Sequence, residues 1–235
     1  MAGDSFTFKQ FVVRQERCAM KVGTDGVALG AWAPVAEVRR ILDIGTGTGL
    51  IALMLAQRTR APCQIVAVEL DDAAAAQAAE NVADSPWAER ITVVTGALQQ
   101  LVSPPFDLIV SNPPYFPHGQ SFASATRQQA RHTSTLDHHS LLAHALRLLA
   151  PGGRIALVLP VLQAQQLIVL AERMGLFLQQ CQRLIPVAGK VPNRFLLLLS
   201  RDKNQAMVSD LVLSTDGKQY SDIYGDMVRD FYLKL

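Results

Sequence analysis

From Arg40 onward, short apolar runs rich in β-formers alternate with longer stretches of good helix formers. That rhythm restricts the chain to repeated βα units around a mostly parallel sheet. The spacing predicts seven strands, at Ile41–Ile44, Ile65–Glu69, Ile91–Thr95, Asp107–Ser111, Arg154–Leu159, Phe195–Ser200 and Val208–Ser214. It predicts helices at Leu50–Gln57, Asp72–Val82, Ser140–Leu149 and Leu162–Met174, where apolar positions recur at three and four. Pro151-Gly152-Gly153 supplies a helix stop. Only Arg201 to Met207 separate the last two strands, so an antiparallel hairpin at one edge is expected. Tyr220, Ile223, Tyr224, Met227 and Phe231 then repeat at helical spacing, as in a terminal helix packed on the body. The fold class read from this pattern is α/β, Rossmann-like, with a seven-stranded mostly parallel sheet.

With 235 residues, 49% hydrophobic and 18% charged, the chain has ample material for a core and is too apolar for disorder. Residues 40–235 form the expected main domain; residues 1–39, with Phe6, Phe8, Phe11 and Trp32, are expected as an extension docked on it. The longest apolar runs, Leu50 to Ala56 and Phe195 to Leu199, fall far short of the ~20 residues of a membrane-spanning helix. The first residues show no basic region followed by an apolar stretch, and Cys18, Cys63 and Cys181 form no CxxC pair, so a cytoplasmic address is expected. The five histidines make no ligand pattern with a cysteine, so no metal is expected. A hydrolase of the G-x-S-x-G type is excluded by absence of the motif.

The formal net charge of +2 is unevenly spread. Residues 118–201 hold nine Lys/Arg against two Asp/Glu, whereas both flanking segments are net acidic. Such a basic block suits a polyanionic partner, with Arg127, Arg131, Lys190 and Arg194 as candidate nucleic-acid contacts, and it equally suits ordinary solubilising charge.

Two motifs carry chemistry. The first runs Ile41-Leu42-Asp43-Ile44-Gly45-Thr46-Gly47-Thr48-Gly49, a strand entering a glycine turn that opens a helix, with Glu69 at the end of the next strand. Glycines let backbone touch a ligand, and a carboxylate past the second strand can accept from both hydroxyls of a ribose, so the motif describes a nucleoside-cofactor pocket. The NAD fingerprint would want a glycine at position 50, which is Leu. The second is Asn112-Pro113-Pro114-Tyr115, directly after a strand, where open α/β sheets place their chemistry. Consecutive prolines fix the backbone, so the Asn112 side-chain carbonyl and the Pro113 main-chain carbonyl can stand as two rigid acceptors beside the flat face of Tyr115. A conjugated amine is a poor nucleophile; two acceptors gripping its hydrogens favour a pyramidal nitrogen and aim the freed lone pair.

With both motifs in view, the chain resembles the class I S-adenosylmethionine-dependent amino-methyltransferases. More narrowly it is similar to the bacterial tRNA1(Val) adenine N(6)-methyltransferase family. The narrower likeness rests on Phe6 to Phe11, Cys18 to Gly26, Gly30 to Pro34, Ser85 to Arg90, Thr135 to His138 and Phe231-Tyr232-Leu233. The resemblance implies that Asp43, Gly45, Gly47, Gly49 and Glu69 hold S-adenosylmethionine, with Lys21 and Thr24 in a segment closing over its methionine end. It also implies that Asn112 and Pro113 hold the target amine, that Tyr115 stacks on the adenine, and that tRNA is the partner. Asp43 would face the cofactor's ammonium group. Where the fold often carries an acid for the cofactor adenine, Gly96-Ala97-Leu98 offers only backbone. Two alternatives stay open: a glutamine methyltransferase acting on release factors, since a carboxamide fits the same acceptor pair, and a non-catalytic nucleotide-binding module.

Overall fold

The computed structural model describes residues 4–114 and 137–234. A short antiparallel ribbon, β1 (Ser5–Thr7) and β2 (Val12–Arg14), precedes α1 (Thr24–Trp32). The main sheet then builds through β3 (Arg40–Ile44), α2 (Leu50–Arg58), β4 (Gln64–Glu69), α3 (Asp72–Ala83), β5 (Ile91–Thr95) and β6 (Phe106–Ser111). After residue 136 follow α4 (His138–Leu148), β7 (Leu149–Pro160), α5 (Val161–Arg173), β8 (Phe177–Ile185), β9 (Arg194–Ser200), β10 (Met207–Val212) and α6 (Asp222–Val228).

The sheet has eight strands in the order β10-β8-β9-β7-β6-β3-β4-β5, one more than the sequence pattern gave. The missing strand is β8, whose Gln179, Gln180, Gln182 and Arg183 break up any apolar run. Its presence also overturns the expected hairpin. β9 pairs antiparallel with β7 on one side and β8 on the other, so both its edges are taken. β10 is therefore displaced to the far side of β8, where it lies parallel, and the short link from Arg201 does not make a hairpin. Helix α4 stops at Leu148, just before the Pro151-Gly152-Gly153 stretch, and that stretch then falls inside β7, at an irregularity where Phe106 faces Leu149 and Leu108 faces Arg154. A Cβ on Gly153 would stand 2.9 Å from the carbonyl oxygens of both Ala150 and Phe106. Neither backbone atom can swing aside, so Gly153→Ala is expected to cost about 1–3 kcal/mol, read as a lower urea midpoint with unchanged slope.

Strand alternation divides the core in two. Ile41, Ile65, Leu108, Val110, Ala156, Val158, Leu196 and Leu198 face one side, with α1, α2, the β1–β2 ribbon, and Tyr224 and Phe231. Leu42, Ile44, Ile109, Ile155, Leu157, Leu197 and Leu199 face the other, with α4 and α5. Helices cover both faces, which is why the central strands read as continuous apolar runs. The ribbon is fixed by rings: Phe8 stacks on Phe11 and Tyr232, and Phe11 meets the edge of Trp87. In the last helix Tyr224 is fully buried but Ile223 is 72% exposed, because α6 has only seven residues and turns one narrow face inward.

The order of strands reverses beside β3: the chain moves outward through β4 and β5, then returns to place β6 on the other flank. β3 and β6 are parallel, with Ile44 opposite Ser111. The segments leaving their carboxyl ends, the glycine loop and Asn112-Pro113-Pro114, are thus neighbours at the point where open α/β sheets bind ligands.

Candidate active site

The glycine loop follows from local rules. Gly45, Gly47 and Gly49 have φ of +68°, +55° and +82°, a region that side chains with a Cβ avoid. A Cβ added at Gly45 or Gly47 would meet nothing within 4 Å, so the loop presents bare backbone to open space. Gly49 differs: it caps the start of α2 and rests against Ala78 of α3, 3.5 Å from a would-be Cβ to that methyl group. Asp43 lies fully buried behind the loop, its Oδ2 accepting from the Thr46 hydroxyl at 2.6 Å and the Ala52 N–H at 3.2 Å. Burial pushes its carboxyl up to about 7, although both hydrogen bonds pull the other way. Asp43 thus braces the loop and has no place on the cavity wall, in contrast to the direct contact that the motif suggested.

Glu69 closes the loop from the side. Its Oε2 accepts from the Gly47 N–H at 2.8 Å, and Oε1 accepts from the N–H groups of Leu70 and Asp71 at 2.9 and 3.1 Å. The buried Ser111 hydroxyl donates to the Ile44 carbonyl at 2.8 Å, tying the tip of β6 to the tip of β3. Asn112 follows at once. Its Oδ1 is buried with no hydrogen-bond partner, although buried acceptors of folded proteins are nearly always paired.

These groups surround a cavity of about 610 Å³. Gly45, Gly47, Glu69, Lys21, Thr24 and Asn112 all reach its wall. Pro113 is buried and Pro114 takes the wall position. Tyr115, Arg127 and Arg131 lie outside the described residues. Lys190 is exposed on the turn between β8 and β9; Arg194, at the start of β9, pairs with Asp25 at 2.8 Å, and Asp25 itself lines the cavity. Residues 96–98 contribute no wall. The motifs did not point to the stretch Arg17-Cys18-Ala19-Met20, which lines the cavity, nor to Asp71. No periodicity marks that stretch. Its hold is polar: the Gln15 carboxamide accepts from the Val22 N–H at 2.7 Å, and the Gln15 carbonyl accepts from the Lys21 ammonium. Among the described residues no cluster of three or more His, Cys, Asp or Glu is arranged for a metal, and no helix is long and apolar enough to cross a membrane.

Comparison with known proteins agrees with this architecture. A predicted O-methyltransferase of Agrobacterium tumefaciens superposes with a TM-score of 0.63 at 17% identity, over 88% of this chain and 96% of that one. A methyltransferase of Pyrococcus furiosus superposes with 0.57 at 22%, over 81% and 90%. Both show the class I methyltransferase fold. The methyltransferase small domain profile matches residues 29–184. The tRNA1(Val) (adenine(37)-N6)-methyltransferase of Aeromonas salmonicida is 54% identical over 98% of both chains. That of Tolumonas auensis is 52% identical over 100% of this chain and 99% of its own, and that of Escherichia coli strain SE11 is 48% identical over 98% and 95%. Relatives this similar across their full length place the chain in the methyltransferase small domain family, among its tRNA1(Val) (adenine(37)-N6)-methyltransferase members.

Proposed function

We propose that this protein methylates N6 of adenine 37 in tRNA1(Val), using S-adenosylmethionine. The observation that carries the proposal is Asn112, a residue on the wall of the glycine-loop cavity whose buried Oδ1 has no hydrogen-bond partner. An orphaned acceptor on a residue that lines a nucleoside pocket fits an incoming NH2 donor. The cavity fits the cofactor as well: bare backbone at Gly45 and Gly47, the Glu69 carboxylate beside them, and polar Lys21 and Thr24 on a facing segment. When bound, S-adenosylmethionine supplies an electrophilic sulfonium methyl group.

The chain's own residues supply position. Asn112 Oδ1 and the Pro113 carbonyl accept the two hydrogens of the adenine amine and hold its nitrogen in the geometry of an attacking lone pair. Neither group titrates near neutrality, so the scheme needs no general base; the methylated nitrogen, once cationic, releases its proton to solvent. Tyr115 stacks on the base, which must leave its neighbours in the anticodon loop to enter. Asp43 and Gly49 act from behind, keeping the loop in shape.

The test is methyl transfer from labelled S-adenosylmethionine to a tRNA1(Val) transcript, followed by nucleoside analysis. The expected result is one N6-methyladenosine per tRNA and none with an adenine-to-guanine change at position 37. Transfer to a release-factor glutamine instead, or to nothing, contradicts the proposal. The basic block leads to a further expectation: tRNA affinity falls steeply with salt, and Arg127→Gln or Arg131→Gln each lowers the slope of log Kd against log salt by about one. Filter binding across a salt series measures this, and salt-insensitive binding would contradict it. Lys190 and Arg194 are further proposed RNA contacts, with Arg194 acting while paired to Asp25.

A further inference from the structure

We infer that Asn81 is a positioning residue that latches the N-terminal segment 14–22 to the glycine loop, joining two separate walls of the cofactor cavity. The inference rests on the reading above only for the identity of the ligand.

Asn81 lies on α3 and is 2% exposed. Its Nδ2 donates to the Arg14 carbonyl at 2.8 Å and to the Thr48 carbonyl at 2.9 Å, while its Oδ1 accepts from the Arg14 N–H at 2.9 Å. The orientation is forced, since a flipped amide would set an oxygen against two carbonyls and an NH2 against an N–H. Arg14 closes β2, just before the lining stretch 17–21; Thr48 belongs to the glycine loop. One turn earlier on the same helix face, the fully buried Gln77 accepts from the Arg17 N–H at 3.3 Å through Oε1. One turn earlier again, Ala74 lines the cavity, and Ala78 carries Gly49. A single face of α3 therefore fastens both segments, and it does so with two buried carboxamides.

Burying an amide is costly unless its groups are used, and here all three bonds run to main chain. Side chains of segment 14–22 add little further anchorage: Met20 is 48% exposed, Val22 packs only partly on the core, and the ion pairs Arg14–Asp84 and Arg17–Glu80 towards the end of α3 are solvent-exposed, where such pairs contribute little. Without Asn81 the segment would keep its fold but lose its register against the loop. Cys18 reports on that register, because the residue is 5% exposed in the closed wall, whereas Cys63 and Cys181 sit in the two hydrophobic cores.

The experiment compares wild type with Asn81→Ala, Asn81→Asp, which keeps the acceptor but cannot donate to either carbonyl, and Gln77→Ala, which removes the bond to the Arg17 N–H and leaves the exposed Arg17–Glu80 ion pair. Cofactor affinity is read by calorimetry, turnover by methyl transfer, and segment opening by the rate of Cys18 labelling with an aromatic disulfide. Both Asn81 variants are expected to bind S-adenosylmethionine at least tenfold more weakly, with kcat at saturating cofactor and KM for tRNA within about twofold of wild type. Their Cys18 should label at least tenfold faster, slowed by cofactor, while Cys63 and Cys181 stay unlabelled. Gln77→Ala should show faster Cys18 labelling with a smaller loss of affinity. Affinity within twofold of wild type, a parallel fall in kcat, or joint labelling of all three cysteines overturns the latch. If the Asn81 variants do not fold, unchanged Cys18 labelling in Gln77→Ala overturns it alone. Wild type that fails to bind S-adenosylmethionine defeats the reading of the cavity instead, and the labelling rates still decide the latch.

Discussion

Asn112→Ala is expected to lower kcat by about two to three orders of magnitude while leaving the Kd for S-adenosylmethionine within about threefold, by analogy with loss of one preorganised polar group at a reacting centre. The split follows from geometry. Ser111 anchors the strand tip through the Ile44 carbonyl, so the backbone at Asn112 stays in place when the side chain is cut back. What disappears is, among the described residues, the buried unpartnered acceptor of a cavity-lining side chain, and the rest of the described wall is unchanged. Asn112→Asp separates positioning from charge. It restores an acceptor of the same length, but its ionised carboxylate must be buried without a partner, so only a small part of the activity should return, and more of it at low pH. Single-turnover methyl transfer with calorimetry distinguishes these outcomes. Equal losses in turnover and in cofactor binding would mean that Asn112 shapes the cavity and does not grip the amine.

The second large effect lies at Asp43. Asp43→Ala strands two donors, the Thr46 hydroxyl and the Ala52 N–H, in a site without solvent. At about 1–3 kcal/mol for each unsatisfied buried group, unfolding should become easier by about 2–6 kcal/mol, and cofactor binding should be largely lost with the loop geometry. Asp43→Asn probes the proton. Burial raises the folded carboxyl from its ordinary 3.8 to about 7, so between those values the native state holds a proton that the unfolded chain has released. The contribution of this group is therefore fully present below about pH 4, falls as pH rises towards 7, and is flat above. Since Asn does not titrate, the unfolding free energy of wild type minus that of Asp43→Asn should decline from pH 4 to pH 7 and then level. A difference that rises or stays constant over that range would show Asp43 to be ionised in the folded protein.

Much of this architecture was legible from residue patterns, for definable reasons. Strands buried on both faces, such as Ile41–Ile44 and Phe195–Ser200, need apolar residues at nearly every position and so announce themselves. β8 does not, because only Cys181 and Leu184 along it are fully buried and its glutamines disguise the period. Missing it misplaced β10 as well, since the partner of a strand is decided by which edges are free and not by linker length. The glycine loop and Asn112 were readable because their chemistry needs particular residue types at fixed spacing. Which of those residues face the ligand was not. Asp43 and Gly49 belong to the motif but serve the loop and α3, a division that depends on what packs behind them. Of the cavity wall from Arg17 to Lys21, Cys18 to Lys21 was read only through family likeness and Arg17 not at all, because its placement depends on Gln15, Gln77 and Asn81, buried amides that no local pattern distinguishes from surface ones.

The central claim is that the Asn112 carboxamide and the Pro113 carbonyl hold the target amine. A crystal structure of the protein with a non-reactive S-adenosylmethionine analogue and the tRNA1(Val) anticodon stem-loop tests it most directly. The account predicts adenine 37 out of its stack, with N6 about 2.8–3.2 Å from Asn112 Oδ1 and facing the analogue's methyl position. An N6 held by other groups, with Asn112 Oδ1 turned into the protein, would contradict it.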